Sequence, residues 1–394
     1  MSRIGLDRRA FIASALALAA SGCATPAPGP PPSLPEPAVD LEARPPLREV
    51  AAARGLFYGA SAISTVLDRD PAFAAAFARE CGLLVPDYEA KWDQIQPAPG
   101  LFDFSKVNRL VEFARAHGML FRGHALLWHH QVPSWLPPAL ASEDPRNILE
   151  AHVRRVVEQY RGAVHSWDVV NEAVELNDGR SDGLRNSLWL KSVGPGYLDL
   201  AFRVAHEADP GARLSYNDYG LDHAEVWNVR KRVAVLELLR DLRGRDVPID
   251  ALGLQAHLTA GLPFDGAGLR AFIRAVAALG LEVYVTELDV IDARLPDDGT
   301  RDAKVARLVG DYLGAVLAEP AVKGVITWGL SDKYSWLNSP SAPEARRGDG
   351  KPVRGLPLDP EMRRTAMWKA LADSLGTRVI GYNSDGRAAP DRQG

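Results

Sequence analysis

The sequence predicts an α/β protein, a single (β/α)8 barrel of the TIM type in which eight parallel strands alternate with helices. Short apolar or β-branched segments recur at regular intervals, amphipathic stretches of helical period fill the gaps between them, and no second proline-rich linker interrupts the pattern. The strand candidates begin at Phe57, Leu83, Leu120, Ser166, Arg213, Ala251, Leu281 and Val322. The helical stretches cover residues 105–117, 147–160, 197–208, 226–242, 266–279 and 301–317.

The main rival is an open, doubly wound sheet of the kind that binds nucleotides. The sequence has no GxGxxG motif after an early strand and no GxxxxGK[ST] motif. Both the open sheet and nucleotide binding are therefore disfavoured. A barrel takes about 250 residues, so a chain of 394 residues holds one large domain with extensions.

Residues 1–23 predict an export signal. Arg8 and Arg9 precede an apolar run over residues 10–20, which is shorter than the roughly 20 residues of a membrane-spanning helix. The paired arginines favour the twin-arginine pathway. The segment AASGC resembles a lipobox with Cys23 as the lipidated first residue, and simple cleavage near Ala24 is the alternative. We expect an exported protein that is periplasmic, outer-membrane-associated or extracellular.

Three further segments follow the signal. Residues 24–49 contain nine prolines and little apolar periodicity, which is typical of a semi-rigid linker. The folded domain is predicted over residues 50–376, starting near Val50. Residues 377–394 are rich in Gly, Asn, Asp and Arg, which is typical of a tail.

Composition narrows the classes of ligand. Hydrophobic residues make up 46% and charged residues 24% of the chain, as in globular proteins, and the net charge of −4 without a basic block argues against nucleic acid. The two cysteines, Cys23 and Cys81, form no disulfide or zinc pattern. His129 and His130 lack an accompanying HxH or HExxH motif. We expect a monomer that needs no cofactor and no metal.

Polar or aromatic residues follow the apolar half of seven strand candidates. One such residue at a strand end is more often part of the core, but seven with the same polarity favour an active site at the carboxyl-terminal rim of the barrel. These residues include Lys91, His124, Trp128, Asn171, Glu172, Asn217, Gln255, His257, Glu287, Asp289 and Trp328.

Two glutamates stand out at this rim, Glu172 after the fourth strand and Glu287 in the seventh. Paired carboxylates on either side of a sugar ring are the catalytic groups of most glycoside hydrolases. Structural ion pairs are the alternative, and they are disfavoured because no arginine lies beside either glutamate at the strand ends.

The neighbours of the two glutamates assign their roles. Asp289 lies on the same strand face as Glu287, and His257 ends the adjacent strand, so the three can form a hydrogen-bonded cluster that keeps Glu287 ionised as a nucleophile. Glu172, flanked by Trp167 and Trp128, is then the general acid.

Other rim residues fit a sugar ligand. Asn171 can bond a 2-hydroxyl group. Trp128, Trp328 and Trp336 offer flat faces to pyranose rings, with core packing as the alternative for each.

These motifs resemble those of glycoside hydrolase family 10, the endo-β-1,4-xylanases, from about Val50 to Leu375. The matching segments are EAKWDQIQPAPGLFDF, WDVVNEAV, YNDYG, GLQAHL, VTELDV and TWGLSDKYSWL. The resemblance implies a (β/α)8 barrel and retaining double displacement on xylan, with Glu172 as acid/base and Glu287 as nucleophile. It further implies that Lys91, His124, Trp128, Asn217, Gln255, His257, Trp328 and Trp336 contact the carbohydrate or support the residues that do.

One motif departs from the family pattern. Many members read ENEMKW where this chain reads DYEAKW, so Asp87 and Tyr88 replace a glutamate and an asparagine that bind the sugar one step beyond the cleaved one. Either substrate preference shifts, or Glu89 or another loop binds that sugar instead.

The sequence thus predicts an endo-acting, retaining xylanase. A β-glucanase or other β-glycosidase on the same barrel remains a second possibility. A barrel that binds carbohydrate without catalysis is a third.

Overall fold

A closed barrel of parallel strands forms the centre of the computed structural model, which describes residues 40–377. The strands are β1 Phe57–Ala62, β2 Leu83–Pro86, β3 Leu120–Leu127, β4 Ser166–Asn171, β5 Arg213–Asp218, β6 Ala251–Leu254, β7 His257–Thr259, β8 Glu282–Ile291 and β9 Val322–Thr327. The pairs run in chain order from β1 to β6, β6 pairs with β8, and β8 and β9 complete the ring back to β1. The predicted (β/α)8 fold is confirmed.

Thirteen helices accompany the strands, and most of them lie between one strand and the next along the described part of the chain. They are α1 Leu47–Ala52, α2 Ser64–Arg69, α3 Pro71–Glu80, α4 Trp92–Ile95, α5 Ser105–Ala116, α6 Leu136–Ser142, α7 Pro145–Gln159, α8 Leu188–Val193, α9 Tyr197–Ala208, α10 Val226–Gly244, α11 Gly266–Ala277, α12 Arg301–Val316 and α13 Ala366–Gly376. All six helices predicted from the periodicity are present, with ends that agree to within about three residues.

The sixth predicted strand is divided in two. Ala256 has a left-handed backbone (φ 62°), which ends the pairing of β6 and starts the short strand β7. β7 pairs with an extension of β8, and His257 lies opposite Asp289. Apolar periodicity runs unbroken through this segment, so the sequence pattern did not reveal the break.

A polar network fills the middle of the barrel beneath the rim. Arg122 donates hydrogen bonds to Asp168 and, at 2.8 Å each, to Ser166 and Ser215. Asp168 is also 3.0 Å from Nδ1 of His124. Because all of these side chains are buried and bonded, the network fixes the orientation of His124 at the rim above it.

Trp167 belongs to the core and does not flank Glu172, contrary to the sequence prediction. Its ring is fully buried, and a Cβ atom placed on Gly123 of β3 would lie 2.1 Å from it. Only glycine leaves room for the indole there. Trp167 faces the helices because neighbouring residues of a strand point to opposite sides of the sheet.

The fold begins before the predicted boundary at Val50. Leu47 is buried at the start of α1, and its backbone N–H donates to Glu80 at 3.0 Å. Glu80 also accepts from Arg364 (2.7 Å) and Trp368 (3.0 Å), so that α1, α3 and the segment leading into α13 share one buried carboxylate. Pro46 lies directly before the first turn of α1, where a proline costs no helical hydrogen bond.

The predicted export signal with Cys23, residues 24–39 of the predicted linker and the predicted tail from residue 378 lie outside the described residues. Between residues 40 and 377, no helix has the length and apolar character needed to cross a membrane.

Candidate active site

Both predicted glutamates lie at the carboxyl-terminal rim, on opposite sides of Gln255. Glu172 follows β4 directly, has φ 59°, and donates its backbone N–H to the carbonyl of Asn217 (2.9 Å). Glu287 lies in β8 where the register with β9 shifts, and its N–H donates to the carbonyl of Gln255 (2.9 Å). Their side chains are mostly buried, with 13% of Glu172 and 7% of Glu287 exposed.

Glu287 is held as a carboxylate by donors to both of its oxygens. Asn217 donates to Oε1 at 2.6 Å, and Nε2 of His257 lies 3.2 Å from Oε2. Burial alone would raise the pKa of Glu287. The hydrogen bonds from His257 and Asn217 and the electrostatic effect of His124 and His257 outweigh it and lower this pKa to about 2. Glu287 is therefore ionised and has the form that a nucleophile requires.

The predicted cluster of His257, Asp289 and Glu287 forms in the structure. Nδ1 of His257 is 2.8 Å from Asp289, whose second oxygen accepts from Nε1 of Trp336 at 2.7 Å. Burial lowers the pKa of His257, but the two carboxylates raise it well above the usual value. His257 is thus an imidazolium that donates to Asp289 on one side and Glu287 on the other.

Side-chain amides connect the two glutamates. Gln255 donates to Oε1 of Glu172 at 3.1 Å. The amide of Asn171 is 3.2 Å from Nε2 of Gln255 and 3.0 Å from Nδ2 of Asn217, which in turn bonds Glu287. A continuous row of hydrogen-bonding groups therefore fixes the position of one carboxylate relative to the other.

The second oxygen of Glu172 faces two side chains that do not bond it directly. Nδ1 of His129 lies 3.9 Å and a guanidinium nitrogen of Arg185 lies 4.0 Å from Oε2. Burial, followed by the charge of Arg185, lowers the pKa of His129 to about 3, so this ring is neutral.

The expectation that no arginine lies beside the glutamates was wrong for Glu172. Arg185 is 13 residues further along the chain, in the loop between β4 and α8, and neither periodicity nor spacing places it at the rim. The alternative of a structural ion pair is still disfavoured, because Arg185 makes no hydrogen bond to the carboxylate of Glu172.

A cationic and aromatic wall lies beside Glu287. The buried ammonium of Lys91 lies 4.6 Å from the ring centre of Trp128 and 5.8 Å from that of Trp328, and the Trp328 ring meets His124 edge to face at 5.1 Å. Burial lowers the pKa of Lys91, and the carboxylates of Asp87, Glu287 and Glu172 oppose this effect. The four predicted ligands Lys91, His124, Trp128 and Trp328 are therefore brought together.

Asp87 and Tyr88 follow β2 on the same side of the rim. Asp87 is a weak acceptor for the hydroxyl of Ser61 (3.4 Å), and burial raises the pKa of its carboxyl group. Lys91, His124 and Glu287 lie close enough to act on this carboxyl group electrostatically.

Both carboxylate oxygens of Glu89 are bonded to Ser64. It accepts from the backbone and hydroxyl of Ser64, at 3.0 and 2.6 Å, and is buried. Glu89 therefore does not substitute for the sugar-binding glutamate and asparagine of the family pattern.

In the part of the chain that the structure describes, no three His, Cys, Asp or Glu side chains converge to hold a metal ion. The site instead presents an ionised glutamate and a second glutamate that are linked through side-chain amides, with aromatic rings beside them. This arrangement on a (β/α)8 barrel defines a glycoside hydrolase.

Residues 46–372 match the profile of glycosyl hydrolase family 10, so the chain belongs to this family. It is 37% identical to endo-1,4-beta-xylanase B of Thermotoga neapolitana over 267 residues, 66% of this chain and 72% of that protein. It is 34% identical to endo-1,4-beta-xylanase A of Thermoanaerobacterium saccharolyticum over 82% of this chain, but spans only 28% of that longer protein. The crystal structure of xylanase 10B from Thermotoga petrophila with xylobiose superposes with a TM-score of 0.74 at 31% identity, covering 84% of this chain and 97% of that one.

The hydrogen bond from Asn217 leads to a prediction about pH. The variant Asn217→Ala should raise the pKa of Glu287, because a donor to the ionised form is removed. The acidic limb of the pH profile of kcat/KM should therefore move to higher pH, with lower activity at acidic pH. The control Asn108→Ala removes a half-buried amide that accepts from Tyr160 far from the rim, and should leave the limb in place. An unchanged limb in Asn217→Ala would contradict the assigned role.

Proposed function

We propose that the protein is an endo-β-1,4-xylanase that cleaves internal bonds of xylan with retention of anomeric configuration. The observation that carries this proposal is the ionised Glu287, held by Asn217 and His257 at the rim, with Glu172 as its partner. Both catalytic geometries of glycoside hydrolases need an ionised carboxylate beside the sugar, and membership of glycosyl hydrolase family 10 favours retention.

The geometry suggests the course of the reaction. Glu287 attacks the anomeric carbon while Glu172 gives its proton to the leaving glycosidic oxygen, and a covalent glycosyl-enzyme forms. Glu172, now a carboxylate, then takes a proton from water, which displaces Glu287 and releases the product. His257 and Asn217 stay bonded to Glu287 in the free enzyme and keep its reactive oxygens oriented.

Xylan is the substrate that the relatives and the site both favour. The related proteins are named xylanases, and one of the matching structures contains xylobiose. Trp336 is fixed by its bond to Asp289 and lies 5.4 Å from the ring of His257. Xylose lacks the hydroxymethyl group of glucose, so a rigid indole close to the sugar ring selects against cellulose. Comparison of rates on xylan and carboxymethyl cellulose separates this function from that of a β-glucanase.

The central test replaces the nucleophile. The variant Glu287→Ala should fold like the wild type and release reducing sugar from xylan at least about 10⁴ times more slowly, because no covalent intermediate can form. Its control is Glu112→Ala, which removes an exposed glutamate of α5. Reducing-sugar release measures both. Retained activity in Glu287→Ala would refute the assignment, and an inactive wild type would favour a barrel that only binds carbohydrate.

We also propose that Asp87 and Tyr88 weaken binding of the sugar one step beyond the cleaved one. Asp87 is one methylene shorter than the glutamate of the family pattern. Glu89 cannot replace it, because both of its oxygens already accept hydrogen bonds from Ser64. Tyr88 brings a bulky ring to a position where the family pattern has a short amide.

The double variant Asp87→Glu, Tyr88→Asn should therefore improve kcat/KM on xylotriose. A gain of about fivefold corresponds to one additional hydrogen bond worth about 1 kcal/mol. The double variant Asp68→Glu, Thr65→Asn on α2 is the matched surface control and should change little. A loss of activity on xylotriose would contradict the proposal and indicate that Asp87 and Tyr88 themselves bind this sugar.

Finally, we propose that the protein is exported and acts as a monomer. Arg8, Arg9 and the apolar run that follows support export, and AASGC supports a lipid anchor at Cys23.

Expression in a bacterial host with a twin-arginine system tests the anchor. The wild type should partition into the detergent phase of Triton X-114, whereas Cys23→Ala should stay in the aqueous phase, because it lacks the thiol to which lipid is attached. Mass spectrometry of the mature amino terminus provides the second reading. A wild type found in the aqueous phase, with its amino terminus near Ala24, would favour simple cleavage.

A further inference from the structure

Arg185 makes an unusual set of contacts beside Glu172. Its Nε donates to the backbone carbonyl of Glu172 at 2.8 Å. One terminal nitrogen donates to the hydroxyl of Tyr219 at 3.1 Å and lies 3.4 Å from the carboxylate of Glu175. The side chain is only 15% exposed. The guanidinium is therefore held by three partners, of which only the carbonyl belongs to Glu172.

The contact with the carbonyl holds an uncommon backbone conformation. Glu172 has φ 59°, a left-handed backbone geometry that residues other than glycine rarely adopt. Its N–H is bonded to Asn217, its C=O to Arg185, and the next carbonyl, that of Ala173, accepts from the N–H of Arg185 at 2.7 Å. Arg185 thus bonds both carbonyls that follow β4, and this fixes the direction in which the Glu172 side chain leaves the chain.

The support under Arg185 is itself rigid. The hydroxyl of Tyr219 donates to Glu175 at 2.6 Å, and the ammonium of the fully buried Lys231 lies 3.4 Å from the ring centre of Tyr219. Lys231 is anchored in turn by Asp218 at 2.7 Å. These bonds hold the guanidinium where its nearest nitrogen is 4.0 Å from Oε2 of Glu172.

No other cation comes this close to Glu172 between residues 40 and 377. The only other basic side chain within 4 Å is His129, which burial and nearby charges keep neutral. A positive charge at this distance in a mostly buried site attracts negative charge that develops on Glu172. At 4.0 Å it does so without forming a hydrogen bond to the carboxyl group.

We propose that Arg185 is the positioning residue of the general acid, and that it stabilises the Glu172 carboxylate that forms when the leaving oxygen is protonated. The inference rests on the proposed function. In that step the glycosidic C–O bond breaks, the bond from Glu287 to the anomeric carbon forms, and the proton passes from Glu172 to the leaving oxygen. The new negative charge on Glu172 appears beside Arg185 and lasts until a proton is taken from water.

If Arg185 has this role, its replacement should lower kcat/KM most for substrates whose leaving group must be protonated. Aryl xylobiosides vary this need, since phenol is a poor leaving group that requires a proton and 2,4-dinitrophenol leaves without one. A residue with a purely structural role would affect both substrates alike. The readout is kcat/KM, which reports the steps up to formation of the glycosyl-enzyme.

The experiment compares Arg185→Gln with the wild type on phenyl and 2,4-dinitrophenyl xylobioside. We expect a loss of roughly 10- to 100-fold on the phenyl substrate, part of the 10²- to 10⁴-fold that general acid catalysis supplies, and less than about threefold on the dinitrophenyl substrate. Glu172→Ala is the positive control for this pattern. Arg180→Gln, an exposed arginine of the same loop that pairs with Asp182, is the matched control and should change neither rate.

Arg185→Lys provides the second variant. It keeps the charge but cannot bond the carbonyl of Glu172 and the hydroxyl of Tyr219 at once, so we expect partial recovery on the phenyl substrate. It also serves as the test variant if Arg185→Gln does not fold, as judged by circular dichroism, and it should then lose at least about threefold on the phenyl substrate alone.

Equal losses on both substrates, or no loss on the phenyl substrate, would overturn the role of Arg185. A wild type that cleaves neither xylobioside nor xylan would instead overturn the proposed function, so the two failures are distinguishable.

Discussion

The paired hydrogen bonds to Glu287 are the constraint on which the site depends. A carboxylate as buried as this one would normally take up a proton, since desolvation penalises its charge. Asn217 and His257 reverse that preference by donating to both oxygens, and His257 can do so as a cation because Asp289 shares its charge. These residues come from β5, β7 and β8, so the strands have to keep their register for the carboxylate to stay ionised.

The barrel departs from regular geometry where the chemistry lies. Ala256 adopts a left-handed backbone between Gln255 and His257, so that one side chain reaches Glu172 and the other reaches Glu287. Glu172 is left-handed as well, and Glu287 lies at a register shift between β8 and β9. Such backbone conformations are costly and persist only when the surrounding bonds hold them. Here the hydrogen bonds among the rim amides provide that support.

The two glutamates are held in different ways, which suits their different roles. Glu287 lies within a strand and is bonded at both oxygens, as expected for a group that remains ionised in the free enzyme. Glu172 has one oxygen bonded by Gln255, while the other faces a neutral His129 and a fixed Arg185 at about 4 Å. A group that gives up and regains a proton needs such an environment, because a direct ion pair would hold it permanently as a carboxylate.

The sequence by itself determined the alternation of strands and helices, the carboxyl-terminal rim as the place of the site, and the cluster of Glu287, His257 and Asp289. Each of these follows from periodicity along one or two neighbouring segments. Only the tertiary structure decided that Trp167 packs in the core, that Glu89 is bonded to Ser64, and that Arg185 reaches Glu172. The physical reason is that these contacts join segments far apart in the chain, or depend on which face of a strand a side chain takes. A local pattern of apolar and polar residues carries no information about how a loop folds back over the rim.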